Sequence, residues 1–347
     1  MKYLNDSLIS LQYIIEHECK EAKKVILVDK NTKQHCLPIL INKIKALETA
    51  HIITIEPGEK SKNNYTVDYI LRHLIDIGAD KTTVFLSVGG GMVSDIGGFV
   101  SAIYYRGICH IEVPTTTMAM VDAAIGGKNG VNFNSLKNQI GTITKPFYTC
   151  CYLPFLKTLD DRNIANGAAE MIKLALVADK DLWNKMKTMT PLEIGQNEKL
   201  MEACIELKEA IVSEDFYDTE KRQILNFGHN FAHAIEAFAM SINFDIQHGE
   251  AVARGIYYET MLSKNILGFS NTQYDEVINY IQKHFVVSRT INQYLQLLDY
   301  LRFDKKNRFG TYRFTLLKEI GCPQTNVLVS EADIATLLLS LQTNINI

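Results

Sequence analysis

Short hydrophobic runs alternate with longer amphipathic segments in the first half of the chain. The runs are rich in Val, Ile and Phe and end at polar residues, proline or glycine, a pattern typical of buried strands. They predict strands at Lys23–Asp29, His51–Pro57, Thr82–Gly91 and Cys109–Pro114. Between them, Asn64–Gly78 has hydrophobic residues at helical spacing, and a further helix is predicted from the glycines at 89–91 to about Tyr104. The alternation predicts a mostly parallel sheet with helices on both faces.

The pattern changes near Leu159. From Asp160 to about Leu301 nearly every segment has helical spacing, and the tail predicts two short strands and a closing helix at Ala332–Leu341. We therefore predict an α/β, Rossmann-like N-terminal domain at residues 1–160 and an all-α, or mainly helical, C-terminal domain at residues 161–347. An active site is expected in the cleft between two such domains.

Composition narrows the class of protein. The 347 residues are 47% hydrophobic and 22% charged, with a net charge of −3, so neither a nucleic-acid-binding nor a membrane-binding surface is indicated. The N-terminal stretch is not typical of a signal peptide, and no hydrophobic run approaches the roughly 20 residues that span a bilayer. The seven cysteines are scattered, which favours reduced thiols over a disulfide framework. We expect a cytoplasmic protein.

Half of the 20 glycines lie between Gly89 and Gly141, interleaved with cationic and amide side chains. The passage SVGGGMVSD runs from strand to helix, where backbone N–H groups at the start of the helix can bind a pyrophosphate. Its GGGMVS lacks the G-x-G-x-x-G spacing of the dinucleotide fingerprint, so a tight strand–helix turn explains it equally well. Asp29 and Asn31 follow the first strand, either as partners of a ribose or as turn-forming residues.

Three histidines fall within twenty residues of one another in the second half. His229 and His233 are four apart on a predicted helix and project from one face, and His248 begins the next helix. Imidazoles combined with a carboxylate are typical of a catalytic metal site. The segment HNFAH lacks the glutamate of the HExxH zinc motif, so the carboxylate must come from elsewhere, and the sequence leaves three candidates: Glu170, Glu236 and Glu250.

Several motifs, taken in order, resemble those of the 3-dehydroquinate synthase family. They are EPGEKSK, VPTTTMAMVDAAIGGKNGVN, LKNQIG, AAEMIK, LNFGHNFAHAIE, QHGEAVA and DKKN, which together extend over almost the whole chain. The resemblance implies conversion of 3-deoxy-D-arabino-heptulosonate 7-phosphate to 3-dehydroquinate and phosphate, the second step of the shikimate pathway. It further implies catalytic NAD+, one divalent metal ion (Zn2+ or Co2+) and a homodimer. The reaction proceeds by transient oxidation, phosphate elimination, reduction and intramolecular aldol closure.

The resemblance also assigns site residues by position. The implied metal ligands are Glu170, His229 and His248, and His233 then assists proton transfer. The substrate contacts implied are Arg106, Lys128, Asn138, Lys208, Arg222, Asn226 and Lys305 or its neighbour Lys306. The implied NAD contacts are Asp29, Asn31, Glu59, Lys62, Gly91, Met92, Val93, Ser94, Asp95, Thr115, Thr116, Asp122, Lys128, Lys137, Lys157 and Thr158.

Some positions depart from the family pattern. Asn129 replaces the usual threonine, GHNFAHA replaces GHTFGHA, Asp218 stands where glutamate is more frequent, and Arg254 occupies a position that is usually small. Because Asn retains hydrogen-bonding capacity, we expect activity to survive these changes.

Three other functions are compatible with parts of this pattern. Another sugar-phosphate cyclase would act on glucose 6-phosphate or sedoheptulose 7-phosphate, but GGKNGVN and LKNQIG resemble the dehydroquinate branch more closely. A metal-dependent polyol dehydrogenase would release NADH and would not need Lys128, Lys208 and the Lys305–Lys306 pair. A catalytically dead regulatory protein would be expected to have lost metal ligands, whereas all three positions are filled.

Overall fold

A computed structural model describes residues 7–133, 136–285, 294–302 and 311–343. The chain forms two compact units. The first runs to Gly167 and takes in Gln196–Val212, and the second contains Ala168–Gly195 and the residues from Ser213 onwards. Among the residues that the structure describes, no helix has the length and hydrophobicity that crossing a membrane requires.

The strands and helices that the hydrophobic pattern predicts appear among the described elements in the predicted order. The strands are β1 (Lys24–Asp29), β2 (His51–Ile55), β3 (Val84–Gly89), β4 (Cys109–Pro114), β5 (Lys128–Phe133), β6 (Leu136–Ile143), β7 (Tyr148–Thr149), β8 (Thr311–Glu319) and β9 (Cys322–Ser330). The α-helices are α1 (Ser7–Tyr13), α2 (Lys30–His35), α3 (Leu37–Lys43), α4 (Asn64–Asp76), α5 (Gly91–Ile103), α6 (Asp161–Ala178), α7 (Lys180–Met186), α8 (Pro191–Gln196), α9 (Glu198–Glu214), α10 (His229–Ser241), α11 (His248–Leu267), α12 (Asn271–His284), α13 (Tyr294–Arg302) and α14 (Glu331–Thr343).

The first unit contains a five-stranded parallel sheet in the order β2-β1-β3-β4-β7. Its central strands are buried along their length, which explains why they read as near-continuous hydrophobic runs in the sequence. The four strands predicted for this half are therefore confirmed. Because all strands run in one direction, the residues that follow β1, β3 and β4 meet at one edge of the sheet, where ligands bind in folds of this kind.

The sequence pattern did not indicate an antiparallel hairpin that follows the sheet strands in the same unit. Strands β5 and β6 pair with Gly130 opposite Gly141, and a Cβ atom on Gly130 would lie 2.5 Å from the carbonyl oxygen of Ile140. The hairpin packs on α5, where Gly98 leaves room for Asn129: a Cβ there would lie 2.0 Å from the Asn129 Oδ1 atom. The glycines thus serve close packing in this hairpin.

The second unit is mainly helical and is built around α11. This helix is buried continuously from Ala251 to Thr260, and α10 packs against it. Phe231 of α10 contacts Tyr258 and Phe314 with ring centroids 5.2 Å and 5.6 Å apart. Strands β8 and β9 form the predicted pair and α14 the predicted closing helix, so both predictions are confirmed.

Candidate functional site: a metal-ligand cluster and a nucleotide-binding edge

Three side chains from three helices of the second unit converge on one point. Glu170 lies on α6, and His229 and His248 are the first residues of α10 and α11. One potential ligand atom from each lies within 4.8 Å of the others. The Oε1 atom of Glu170 is 3.5 Å from His229 Nε2 and 3.2 Å from His248 Nε2. The structure thus brings together the three residues that the resemblance implies as ligands.

Glu170 is a buried carboxylate that a neighbouring cation keeps ionised. Its Oε2 atom lies 2.5 Å from the ammonium of Lys173, one turn along α6 and equally buried. Burial alone would raise the pKa of Glu170, but Lys173, His229 and His248 hold it well below its usual range. Neither carboxylate oxygen of Glu170 accepts a hydrogen bond of normal geometry, which suits a role as a metal ligand.

The two imidazoles are oriented by different partners. His229 Nδ1 lies 3.3 Å from the carbonyl oxygen of Phe227, which can only accept, so Nδ1 carries the proton and Nε2 presents its lone pair. Burial lowers the pKa of His229 well below its ordinary value. His248 Nδ1 lies 3.1 Å from the buried carboxylate of Glu236. Burial opposes the charged form of His248, but Glu236 and Glu170 together raise its pKa to about 10.

The other candidates from the sequence have different places. His233 is exposed one turn after His229, with ring centroids 5.6 Å apart, and does not join the cluster of potential ligand atoms. Glu236 supports His248, and Glu250 accepts the Gln247 N–H at 3.0 Å in the capping box of α11. The donor set is therefore one carboxylate and two imidazole nitrogens, which fits a divalent ion such as Zn2+ or Co2+.

The nucleotide candidates lie in the first unit, many at the carboxyl ends of its parallel strands. Asp29 ends β1, Gly91 opens α5 directly after β3, and Thr115 follows β4, with its N–H bonded to the Gly89 carbonyl at 2.9 Å. The first turn of α5 runs from Gly91 through Met92 and Val93 to Ser94, whose N–H donates to the Gly90 carbonyl at 3.0 Å, and Asp95 follows. Because this turn starts a 13-residue helix, its N–H groups form a suitable pyrophosphate site.

A buried lysine organises the neighbouring polar side chains. The Lys62 ammonium donates to the Asp95 carboxylate and, at 2.6 Å, to the Asn138 amide oxygen. Asn132 donates to Glu59 at 2.8 Å and accepts from the Asn138 N–H at 3.0 Å, and Lys137 lies 3.9 Å from Glu59. These contacts join five of the candidates into one cluster: Glu59, Lys62, Asp95, Lys137 and Asn138. Asn132, which the sequence did not single out, also belongs to this cluster.

The remaining nucleotide candidates have local contacts. Asp29 caps α2 by accepting the Thr32 N–H at 2.7 Å, and Thr116 caps the turn after it by accepting the Ala119 N–H at 3.1 Å. Thr158 donates to the Phe155 carbonyl at 2.7 Å. Asn31 and Lys157 are exposed. For these two, as for the other nucleotide candidates, a part in nucleotide binding stays a prediction.

Three substrate candidates of the first unit lie in different surroundings. Lys208 on α9 is buried and donates to Asp122, to its carbonyl at 2.6 Å and also to its carboxylate. Lys128 is exposed at the start of β5, after the left-handed turn of Gly126 and Gly127. The structure does not bring Arg106 to this group. Arg106 is exposed in a turn before β4, at the amino ends of the strands and so at the opposite edge from Gly91.

Arg222 and Asn226 lie on one short 3₁₀ helix of the second unit. Asp215 fixes its start by accepting the N–H groups of Thr219, Glu220 and Arg222 at 3.0, 2.7 and 3.0 Å. These bonds lower the pKa of Asp215 to about 2. The Arg222 guanidinium is buried and donates to the Phe216 carbonyl at 2.7 Å. Lys305 and Lys306 lie outside the described residues.

Sequence reasoning missed Lys173 and Asp215. In the motif AAEMIK, Lys173 stands three residues after Glu170, and i,i+3 spacing on a helix was the available sign that the two face the same side. Three of the four hydrogen bonds to Asp215 come from backbone N–H groups and one from the Thr219 hydroxyl, and backbone donors leave no pattern of residue types in the sequence.

Comparison with known proteins gives a family match over most of the chain. The models of the 3-dehydroquinate synthase N-terminal and C-terminal regions match residues 52–166 and 167–307. The 3-dehydroquinate synthase of Parabacteroides distasonis is 37% identical over 334 residues, covering 95% of this chain and 92% of that protein. That of Campylobacter jejuni subsp. jejuni serotype O:6 is also 37% identical, covering 95% and 96%.

Solved structures agree on the fold. The 2-epi-5-epi-valiolone synthase ValA of Streptomyces hygroscopicus subsp. jinggangensis 5008, solved with NAD+ and Zn2+ bound, superposes with a TM-score of 0.83 at 25% identity, covering 93% of this chain and 91% of that one. A probable glycerol dehydrogenase from Sinorhizobium meliloti 1021 gives 0.65 at 12% identity, covering 99% and 96%. At 12% identity, the second likeness shows the fold alone.

Proposed function

Because the chain belongs to the 3-dehydroquinate synthase family, we propose roles for its residues in that family's reaction. The reaction converts 3-deoxy-D-arabino-heptulosonate 7-phosphate to 3-dehydroquinate and phosphate, the second step of the shikimate pathway. The observation that carries the assignment of roles is the convergence of Glu170, His229 and His248 within 4.8 Å. We propose that residues 1–160 form the NAD-binding domain and residues 161–347 the metal- and substrate-binding domain.

The ligand cluster is proposed to hold one Zn2+ or Co2+ ion, as two imidazole nitrogens and a carboxylate suit either. A divalent ion bound there supplies Lewis-acid polarisation of a substrate hydroxyl, lowering its pKa. The chain prepares the site in three ways. Lys173 keeps Glu170 ionised, Phe227 sets the tautomer of His229, and Glu236 holds the ring of His248.

The carboxyl edge of the sheet is proposed to bind NAD+, which supplies hydride acceptance and return and is not consumed. The start of α5 would hold the pyrophosphate with its N–H groups, and Asp29 a ribose hydroxyl. Lys62, tied to Asp95 and Asn138, fixes the polar wall beside that helix.

The cationic and amide candidates are assigned to the substrate. Arg222 suits bidentate contact with a phosphate or carboxylate, whereas Lys128, Lys208 and Lys305 act as point charges, and Asn138 and Asn226 bind hydroxyls. His233 lies exposed beside His229 and moves a proton at its imidazole. Since phosphate leaves by elimination without uptake of water, the enzyme is a carbon–oxygen lyase.

The position of Arg106 supports the proposed homodimer. Arg106 stands at the amino ends of the strands, away from the nucleotide edge of its own sheet. A role for it in phosphate binding therefore requires a second copy of the chain. We also propose a cytoplasmic location, in keeping with seven cysteines that all lie among the described residues and form no disulfide.

The assignment is tested by phosphate release from the heptulosonate phosphate in the presence of NAD+. Protein stripped of metal by a chelator should release no phosphate, and Zn2+ or Co2+ should restore release. A His248→Ala variant should stay inactive after metal is added. A His17→Ala variant should recover fully, because His17 is an exposed residue of the short π-helix that follows α1. Full metal-stimulated activity in His248→Ala would overturn the ligand assignment.

A further inference from the structure

Glu259 is a fully buried carboxylate that none of the roles above uses. It lies on α11, eleven residues after His248, and its side chain reaches the start of α10. The Gly228 N–H donates to Glu259 Oε2 at 2.6 Å, and the Phe231 N–H makes a longer contact with Oε1 at 3.5 Å. These two N–H groups flank His229, so the carboxylate binds the backbone on both sides of a proposed ligand.

The start of α10 needs such a partner from elsewhere. Gly228 is the N-cap residue, adopts a left-handed conformation with φ of +82°, and has no side chain with which to cap the helix. The first N–H groups of a helix have no partner within it, and the positive end of the helix dipole favours an anion. Glu259 supplies both an acceptor and a negative charge at this point.

A second contact fixes the same peptide against α11. Gly255, one turn before Glu259, lies so close to Gly228 that a Cβ atom on it would be 1.8 Å from the Gly228 carbonyl oxygen. The start of α10 is therefore held against α11 by a backbone contact and by a carboxylate. Because His248 begins α11 and His229 begins α10, these contacts set the separation of the two imidazoles.

We propose that Glu259 is a positioning residue of the metal centre, holding His229 in register with His248 by binding the backbone at the start of α10. Glu236 of α10 supports His248 of α11, and Glu259 of α11 supports His229 of α10, so each helix steadies the ligand of the other. This inference rests on the proposed metal role of His229. Zn2+ binding by the unaltered protein checks that role separately.

The test compares Glu259→Gln and Glu259→Ala with the unaltered protein in Zn2+ affinity, measured by competition with a chelating dye. Partners that orient metal ligands change affinity by about 10- to 100-fold when removed. We expect Glu259→Ala to raise the Kd within that range. Glu259→Gln keeps one acceptor oxygen for the Gly228 N–H, so it should raise the Kd by less, about threefold to tenfold. The visible absorption spectrum of the Co2+-loaded protein should shift in both variants, because it reports ligand geometry.

Asp179→Ala provides a matched control. Asp179 caps α7 in the same unit by accepting the N–H groups of Asp181 and Leu182, both at 2.9 Å, and α7 carries no proposed ligand. We expect this variant to lower the thermal unfolding midpoint of the apo-protein while leaving the Zn2+ Kd and the Co2+ spectrum unchanged.

The outcomes separate a positioning role from a purely structural one. A Glu259→Gln protein that is folded, binds Zn2+ with the unaltered Kd and shows the unaltered Co2+ spectrum would overturn the inference. If Glu259→Ala does not fold, the Gln variant alone decides, since it preserves shape and one hydrogen bond. If the unaltered protein binds neither metal ion, the proposed function fails, and this inference fails with it.

Discussion

The buried ion pair of Lys62 and Asp95 offers a quantitative test of the nucleotide-binding unit. Only 5% of the Lys62 side chain and 19% of the Asp95 side chain reach solvent, and the ammonium also donates to Asn138. Burial raises the pKa of Asp95, while Lys62 opposes the shift. Lys62→Met keeps most of the hydrophobic stem and removes the charge, so it leaves Asp95 without its cation.

The magnitude of the loss follows from the alternatives left to Asp95. It can stay ionised, or it can take up a proton. At pH 7 protonating a carboxyl group of ordinary pKa about 3.9 costs about 4 kcal/mol, which is the upper limit of the loss from the unpaired charge. At pH 5 the same limit is about 1.5 kcal/mol. The pKa of Asp95 in the folded variant lies above its unfolded value, so the variant loses stability as pH rises and recovers as pH falls.

The assay is urea unfolding followed by circular dichroism at pH 5 and pH 7. We expect Lys62→Met to lower the free energy of unfolding by about 2–4 kcal/mol at pH 7 and by about 1 kcal/mol at pH 5. Adding Asp95→Asn should recover most of the loss at pH 7, because no unpaired charge remains. A loss of equal size at both pH values, or no recovery in the double variant, would refute the reasoning.

Three further predictions concern other buried carboxylates. Glu236→Gln weakens the support of His248 and should raise the Zn2+ Kd by about tenfold or more in a chelator competition; an unchanged Kd would contradict the role. Burial raises the pKa of Glu112 from 4.5 to about 8, so the native state binds more protons than the unfolded state in that window and stability falls as pH rises. Glu112→Gln should flatten that decline in urea titrations from pH 5 to 8, and a persisting slope would count against it. Asp215→Asn loosens the turn of Arg222 and should raise the substrate KM by roughly fivefold, with kcat little changed. Steady-state kinetics showing an unaltered KM would contradict this.

The central strands of the first unit's sheet, β1, β3 and β4, were predictable because they are buried along nearly their whole length and therefore form short hydrophobic runs. The β5–β6 hairpin was not, because Gly130 and Gly141 face each other in it and its remaining residues are largely polar. Its strands form through close backbone approach and packing on α5, which leave no hydrophobic periodicity in the sequence.

The candidate site divides in the same way. Three histidines and three glutamates were visible as potential ligands, but their spacing could not separate His233 from the others. The resemblance supplied that distinction, and the geometry agrees with it, since His233 lies exposed outside the ligand cluster. Lys173 was missed because one lysine on an amphipathic helix resembles any surface lysine. Glu259 was invisible because its partners are backbone N–H groups about thirty positions earlier.

In the proposed reaction NAD+ is reduced and reoxidised within each turnover. The most direct measurement supplies one NAD+ per enzyme molecule together with Zn2+ and excess 3-deoxy-D-arabino-heptulosonate 7-phosphate, and follows phosphate and the absorbance of NADH together. We expect release of many phosphates per NAD+, accumulation of 3-dehydroquinate and no lasting NADH signal. Release that stops at one phosphate per NAD+ with matching NADH, or NADH formation without phosphate, would contradict it.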